Sequence, residues 1–180
     1  MMARFEIAKG YENKDIHLPV RKTACAAGYD FEVAEDIVIP SYTKQMDALI
    51  KTGWSLAGDR VDLNQMAELT KKSAAKPTLV PTGIKCKLEP DTYLALTVRS
   101  SAPLKYWIIL ANSEGIIDAD YYGNATNDGA IFFQCINLSP FDIVLHKGDI
   151  IGQGIIMNYI KTEDDIAEGV RTGGFGSTSA

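Results

Sequence analysis

The chain has 180 residues, 46% of them hydrophobic, enough for one domain with a substantial core and too few to require two. Its 18 basic and 23 acidic side chains give a net charge of −5, so no nucleic-acid partner is expected, and an anionic ligand needs a few placed cations or a metal. Cys25, Cys86 and Cys135 are scattered and form no CxxC pair, which argues against a disulfide framework or a zinc cluster and reads as buried thiols. The N-terminal MMARFEIAKG has no apolar targeting core and no run reaches the length of a membrane span, which predicts a soluble, cytoplasmic protein without membrane contact.

Along the chain, short apolar or alternating runs are separated by Pro, Gly, Asn and Asp. RFEIAK at 4–9 and YDFEV at 29–33 read as strands. From 43 to 76 the composition turns to helix formers. Met46, Leu49, Ile50 and Trp54 share one helical face, and Asp62 three residues before Gln65 is a capping-box start for a second helix. This helical insertion, closed by Pro77, reads most simply as a surface excursion without function of its own. Strands resume at 84–88, 93–98, 106–110, 130–136, 143–146 and 150–160, and GIID enters the turn DYYG as a further strand. The whole predicts an all-β fold, a jelly-roll-like β-sandwich or barrel, with no βα alternation. The expected organisation is a β-domain over 1–169 carrying the insertion, followed by a flexible glycine-rich arm, 170–180.

His17 and His146 stand alone among ordinary strand and turn residues, so acid–base chemistry falls to carboxylates. Asp118 and Asp120 fall on one side of an extended strand, with Tyr121 on the other, and Asp118 lies near a rim open to water. The bland alternative is a solvated acidic turn. VRSSAP ends a strand with Arg99, Ser100 and Ser101, a fork and two hydroxyls suited to phosphate oxygens. Asp30 follows a glycine and an aromatic in AAGYDFEV. Gln153 in HKGDIIGQG offers an amide to a ligand or satisfies buried backbone. The tail RTGGFGSTSA has the glycine-rich composition that lets backbone N–H groups close around a phosphate.

Taken in order, AGYD, RSS, GIIDADYYG, GDIIGQ and RTGGFGST resemble the five motifs of the homotrimeric dUTPases, over residues 24–178. The insertion gives the resemblance a phage or prophage character. It implies hydrolysis of dUTP, with the aspartate at Asp118 polarising the water that attacks the α-phosphorus and Tyr121 packing under the sugar to exclude a 2′-hydroxyl. It further implies that Asp30 helps hold Mg2+ through water, that Arg99, Ser100, Ser101 and Gln153 grip phosphates, and that Asn112 lies in the strand segment facing the uracil. In the arm, Phe175 would stack on the base while Arg171, Gly176, Ser177 and Thr178 close on the phosphates of a neighbouring subunit's site. The implied assembly is a homotrimer.

The sequence departs from that pattern in four places. The spacing from Arg171 to Phe175 is one residue shorter than in RGxGGFGST, and Ile150 stands where a basic residue is usual. NATNDG at 124–129 lengthens the turn after DYYG, and 43–76 interrupts the stretch between the first two motifs. Two other readings accompany hydrolysis. A dCTP deaminase relative shares the fold, but Gln134 stands where its catalytic glutamate belongs, and an amide cannot shuttle the proton. A regulatory trimer would use 43–76 to engage a protein partner, with nucleotide as the switch.

Overall fold

Eleven strands pair antiparallel in the computed structural model, which describes residues 3–53, 60–73, 75–169 and 171. In chain order they are β1 (Arg4–Ile7), β2 (Tyr29–Glu32), β3 (Ile37–Ile39), β4 (Thr78–Pro81), β5 (Ile84–Lys87), β6 (Thr92–Val98), β7 (Ile108–Leu110), β8 (Gly115–Asp118), β9 (Phe132–Asn137), β10 (Ile143–Leu145) and β11 (Ile150–Asn158). They form a four-stranded sheet in the order β2-β11-β6-β8, a three-stranded sheet β4-β9-β7, and the two-stranded pairs β1-β5 and β10-β3. The expected mostly-β, jelly-roll-like fold is what the chain adopts.

Alternation explains the layers. In β9, Phe133 and Cys135 turn into the core while Phe132, Gln134 and Ile136 face the other way, half-buried. Phe31 from β2, Leu94 and Leu96 from β6, and Val80 from β4 join the same core. Phe31 packs edge-on against Phe133 and Phe5, with ring centroids 5.7 and 5.4 Å apart. Each such fully buried aromatic contributes about 2 kcal/mol of burial free energy. This core holds the four-stranded sheet, whose outer face carries the candidate groups.

The insertion is helical as expected. Helix α1 (Tyr42–Ile50) is capped by Ser41, whose hydroxyl accepts from the Lys44 N–H. Helix α2 (Leu63–Lys72) opens with a complete capping box between Asp62 and Gln65. Neither helix buries a residue. Trp54 of the expected apolar face lies outside the described residues.

Three sequence expectations need correction. The run 106–110 is strand only from Ile108. Residues Ser101–Tyr106 form a short helix, α3, which ends at Trp107 in a left-handed conformation with φ of 58°. Pro103 sits in its first turn, where no backbone donor is needed. Cys25 is exposed; only Cys86 and Cys135 are buried, and burial pushes both thiols up to about 12. Lastly, each histidine has a carboxylate partner, His17 Nδ1 lying 2.9 Å from Glu32 and His146 Nδ1 3.2 Å from Asp36. Both pairs are at the surface. Among the described residues, no helix is long and apolar enough to cross a membrane.

Candidate active site

Strand β8 ends at Asp118, and residues Ala119–Tyr121 then close into a 3₁₀ turn. The expected extended strand through Tyr121 is therefore replaced by a tight turn. Its consequence is that Tyr121 does not point away from the aspartates. Asp118 and Tyr121 line one cavity of about 300 Å³, together with Asn112, Gln134, Phe132 and the segment Gly115, Ile116 and Ile117. Asn112 sits in the turn after β7 rather than in a strand. The Asp118 side chain is 45% exposed, so water reaches it.

Arg171 enters the same cavity from the C-terminal segment. Its guanidinium donates to Asp118 and, at 2.8 Å, to Asp120 Oδ1. It also lies 5.9 Å from the Tyr121 ring centre, within reach of a cation–π contact. Asp118 and Asp120 thus do share a side, through the turn and the cation between them. The tail residues Phe175, Gly176, Ser177 and Thr178 lie outside the described residues.

Tyr121 is 6% exposed, and its depth is set by the loop that follows. Its hydroxyl donates to Ala130 O at 3.1 Å and accepts from Asn127 Nδ2 at 2.7 Å. Asn127 Oδ1 in turn accepts from Asn124 Nδ2 at 2.8 Å and from Gly129 N at 3.1 Å. Gly129 has φ of +80°, and a Cβ there would lie 2.7 Å from Tyr121 O, so the loop closes only around glycine. The loop is tied to β5 and β1. Asp128 pairs with Lys85 at 2.7 Å and accepts the Lys9 N–H at 2.9 Å, while the Tyr122 hydroxyl donates to Glu6 at 2.6 Å. Lys85 holds the Asp128 carboxyl below its ordinary range, and Asp128 raises the Lys85 ammonium in return.

The other candidates gather elsewhere. Asp30 stands opposite Gln153, and Gln153 opposite Thr97, so all three side chains share one face of the four-stranded sheet. Gly28 makes room for Gln153: a Cβ on it would lie 2.5 Å from Gln153 Oε1. Among the described residues, neither the Asp30 carboxylate nor the Gln153 amide has a side-chain hydrogen bond. Arg99 and Ser101 line a second cavity of about 480 Å³ at the start of α3, with Asp149 and Tyr106. Ser100 is exposed beside it.

The register separates the two groups. Asp118 lies opposite Tyr93 and Gln153 opposite Thr97, on strands flanking β6. Two strand spacings and four residues of rise put them roughly 16 Å apart on the same face. Asp118, Tyr121, Asn112 and Arg171 therefore come together in one chain; Asp30, Arg99, Ser100, Ser101 and Gln153 do not join them. Sequence reasoning missed Asn127 and the cavity position of Gln134. The β9 alternation carried the signal for Gln134, whereas nothing local marked Asn127.

A family model described as dUTPase matches residues 61–179. The deoxyuridine 5′-triphosphate nucleotidohydrolase of Lactococcus lactis is 33% identical over 98% of this chain and 97% of its own length. That of Rickettsia peacockii is 40% identical over 71% of this chain and 84% of its own. Among solved structures, the dUTPase of Streptococcus mutans superposes with a TM-score of 0.66 at 33% identity, covering 88% of this chain and 98% of that one. A dUTPase from phage phi11 of S. aureus shares the fold at 15% identity, with a TM-score of 0.59 over 96% and 99% of the two chains.

Proposed function

The chain belongs to the dUTPase family, and we propose that it converts dUTP and water to dUMP and pyrophosphate with Asp118 as the general base. The observation that carries this reading is Asp118 at the end of β8, water-accessible, on the wall of a cavity that also holds Tyr121. The carboxylate takes a proton from the water whose oxygen attacks the α-phosphorus, and the bond to the bridging oxygen of the β-phosphate breaks. The Tyr121 ring lies under the deoxyribose and leaves no space for a 2′-hydroxyl. Asn112 and the segment Gly115, Ile116 and Ile117 face the uracil, a reading supported by their place on the cavity wall.

Magnesium draws most of its ligands from phosphate oxygens and water, so one or two protein carboxylates suffice. The Asp30 carboxylate, half-buried and without an ion pair among the described residues, suits that role through water. When bound, the cation neutralises the triphosphate and orients it. In the phage phi11 relative, a structural Mg(II) ion is coordinated.

Arg99, Ser100, Ser101 and Gln153 bind the phosphates, and Arg171, Phe175, Gly176, Ser177 and Thr178 close over the nucleotide. A separation of roughly 16 Å between Gln153 and Asp118 within one chain supports a homotrimer in which neighbouring subunits complete each site. The same sheet face exposes Ile116 and Met157, apolar side chains of the kind that interfaces cover.

A second reading adds a regulatory protein partner at the insertion; it is favoured by α1 and α2, which bury no residue. Turnover with Mg2+ decides between the readings. Pyrophosphate release from dUTP in preference to dCTP, dTTP and UTP is the expected result. Retention of dUTP without pyrophosphate would favour the nucleotide-switched binder, and dUTP formed from dCTP would favour the deaminase.

A further inference from the structure

We propose that Asn127 is a positioning residue that fixes the Tyr121 ring in the cavity and thereby sets the discrimination between deoxyribose and ribose. The inference rests on the role given to Tyr121 above. Its basis is a chain of hydrogen bonds that runs in one direction. Asn124 Nδ2 donates to Asn127 Oδ1 at 2.8 Å, Asn127 Nδ2 donates to the Tyr121 hydroxyl at 2.7 Å, and that hydroxyl donates to Ala130 O at 3.1 Å. Each oxygen accepts what the next group must give, so no amide can be turned round without losing a bond.

The ends of the chain are fixed independently. Asn124 also donates to Tyr121 O at 2.9 Å and accepts from the backbone of Thr126 and Asn127, which closes the loop on the tyrosine's own backbone. Ala130 N donates to Asn127 O at 3.0 Å, so acceptor and donor of the phenol belong to one rigid turn. Asp128, held by Lys85 and the Lys9 N–H, anchors that turn to β5 and to the segment after β1. The phenol oxygen is therefore held at the depth the loop dictates. A ring pinned at its far end cannot tilt away to admit a 2′-hydroxyl, whereas a ring held only by packing can.

Asn127 touches neither water nor phosphate in this scheme, so its loss should act on the sugar end of the substrate. The test compares Asn127→Ala, Tyr121→Phe and the double variant for kcat and KM with dUTP and with UTP, after melting curves confirm folding. The expected result is a KM for dUTP raised about fivefold in each single variant, the scale of one hydrogen bond. The preference for dUTP over UTP should fall by a similar factor, with kcat for dUTP little changed. Because both variants remove the shared Asn127–Tyr121 bond, the double variant's effect on the dUTP to UTP ratio should fall short of the product of the two single effects. Multiplying effects, or an unaltered dUTP to UTP ratio in folded single variants, would overturn the proposal. If Asn127→Ala does not fold, Tyr121→Phe decides alone, since it deletes only the hydroxyl: an unchanged ratio refutes the role. Absence of dUTP turnover by the unaltered chain would instead refute the functional reading itself.

Discussion

The turn over 119–131 and the insertion over 43–76 are both additions to a run of strands, yet they are built on opposite principles. In the first, Tyr121 and Asn124 are buried, side-chain amides are satisfied by named partners, and Asp128 ties the loop to strands far away in sequence. In the second, two capped helices bury no residue, and among the described residues the polar ties to the body of the fold gather at the start of α1, where Ser41 and Lys44 reach Asp142 and the Tyr42 N–H donates to Ser139 O. Caps make a helix; they do not fix where it sits. The contrast predicts that changes in the first region reach the chemistry and changes in the second do not.

The largest expected break is Asp118→Asn. The amide keeps the size of the group and loses its basicity, so kcat should fall by about 10²–10⁴ while dUTP binding persists. Single-turnover kinetics alongside equilibrium binding separates the two, and unimpaired turnover would remove Asp118 from the mechanism.

Next comes subunit complementation. A chain truncated after Gly169 and a full-length Asp118→Ala chain should each be inactive. Co-assembled, they should recover activity, because some sites combine an intact Asp118 with a neighbour's arm. Mixed trimers verified by mass and still inactive would show that the arm serves its own subunit.

A smaller effect sharpens the comparison through stability. Asp128→Asn keeps a side chain tolerant of the left-handed backbone at φ of 59° and removes the charge that faces Lys85. It should cost about 1 kcal/mol in urea unfolding at neutral pH. A carboxyl held below its ordinary range stabilises the fold above the unfolded value of roughly 3.9, and that contribution disappears as pH falls through the lower folded value. The raised Lys85 ammonium adds the opposite limb, fully present below the unfolded value of roughly 10.4 and lost as pH rises through the higher folded value. The difference between variant and parent should therefore vanish in strong acid.

The smallest effect is expected from removing the insertion, with Tyr42 joined to Thr78 by a short linker. Closing a shorter loop changes the free energy by less than about 1 kcal/mol, and dUTP turnover should stay within about twofold of the parent. Loss of activity in a folded trimer would make the insertion part of the site.

Much of this was legible beforehand, for local reasons. The β9 alternation, the apolar run that makes β6, the Asp62 and Gln65 pair, and the emergence of Asp118 from a strand depend on neighbours in sequence. What escaped depends on pairing across the fold. The short strands β3 and β4, three and four residues long, exist because β10 and β9 lie beside them. The partners of His17 and His146 arrive from β2 and from the residues just before β3. Asn127 sits in what reads as a polar turn, and only its closure onto Tyr121 gives the amide a task.

Arg171, paired with both Asp118 and Asp120, makes substrate entry an exchange rather than a filling. The guanidinium is tethered, so its effective concentration at the cleft is set by the connecting chain and cannot be diluted away. An incoming triphosphate must be weighed against that tethered competitor, and its apparent dissociation constant is the intrinsic one divided by the fraction of clefts from which Arg171 has been released. If the arm serves a neighbouring cleft, as proposed above, a guanidinium engaged at home is withheld from that neighbour, and vacating one cleft would supply the cation another uses.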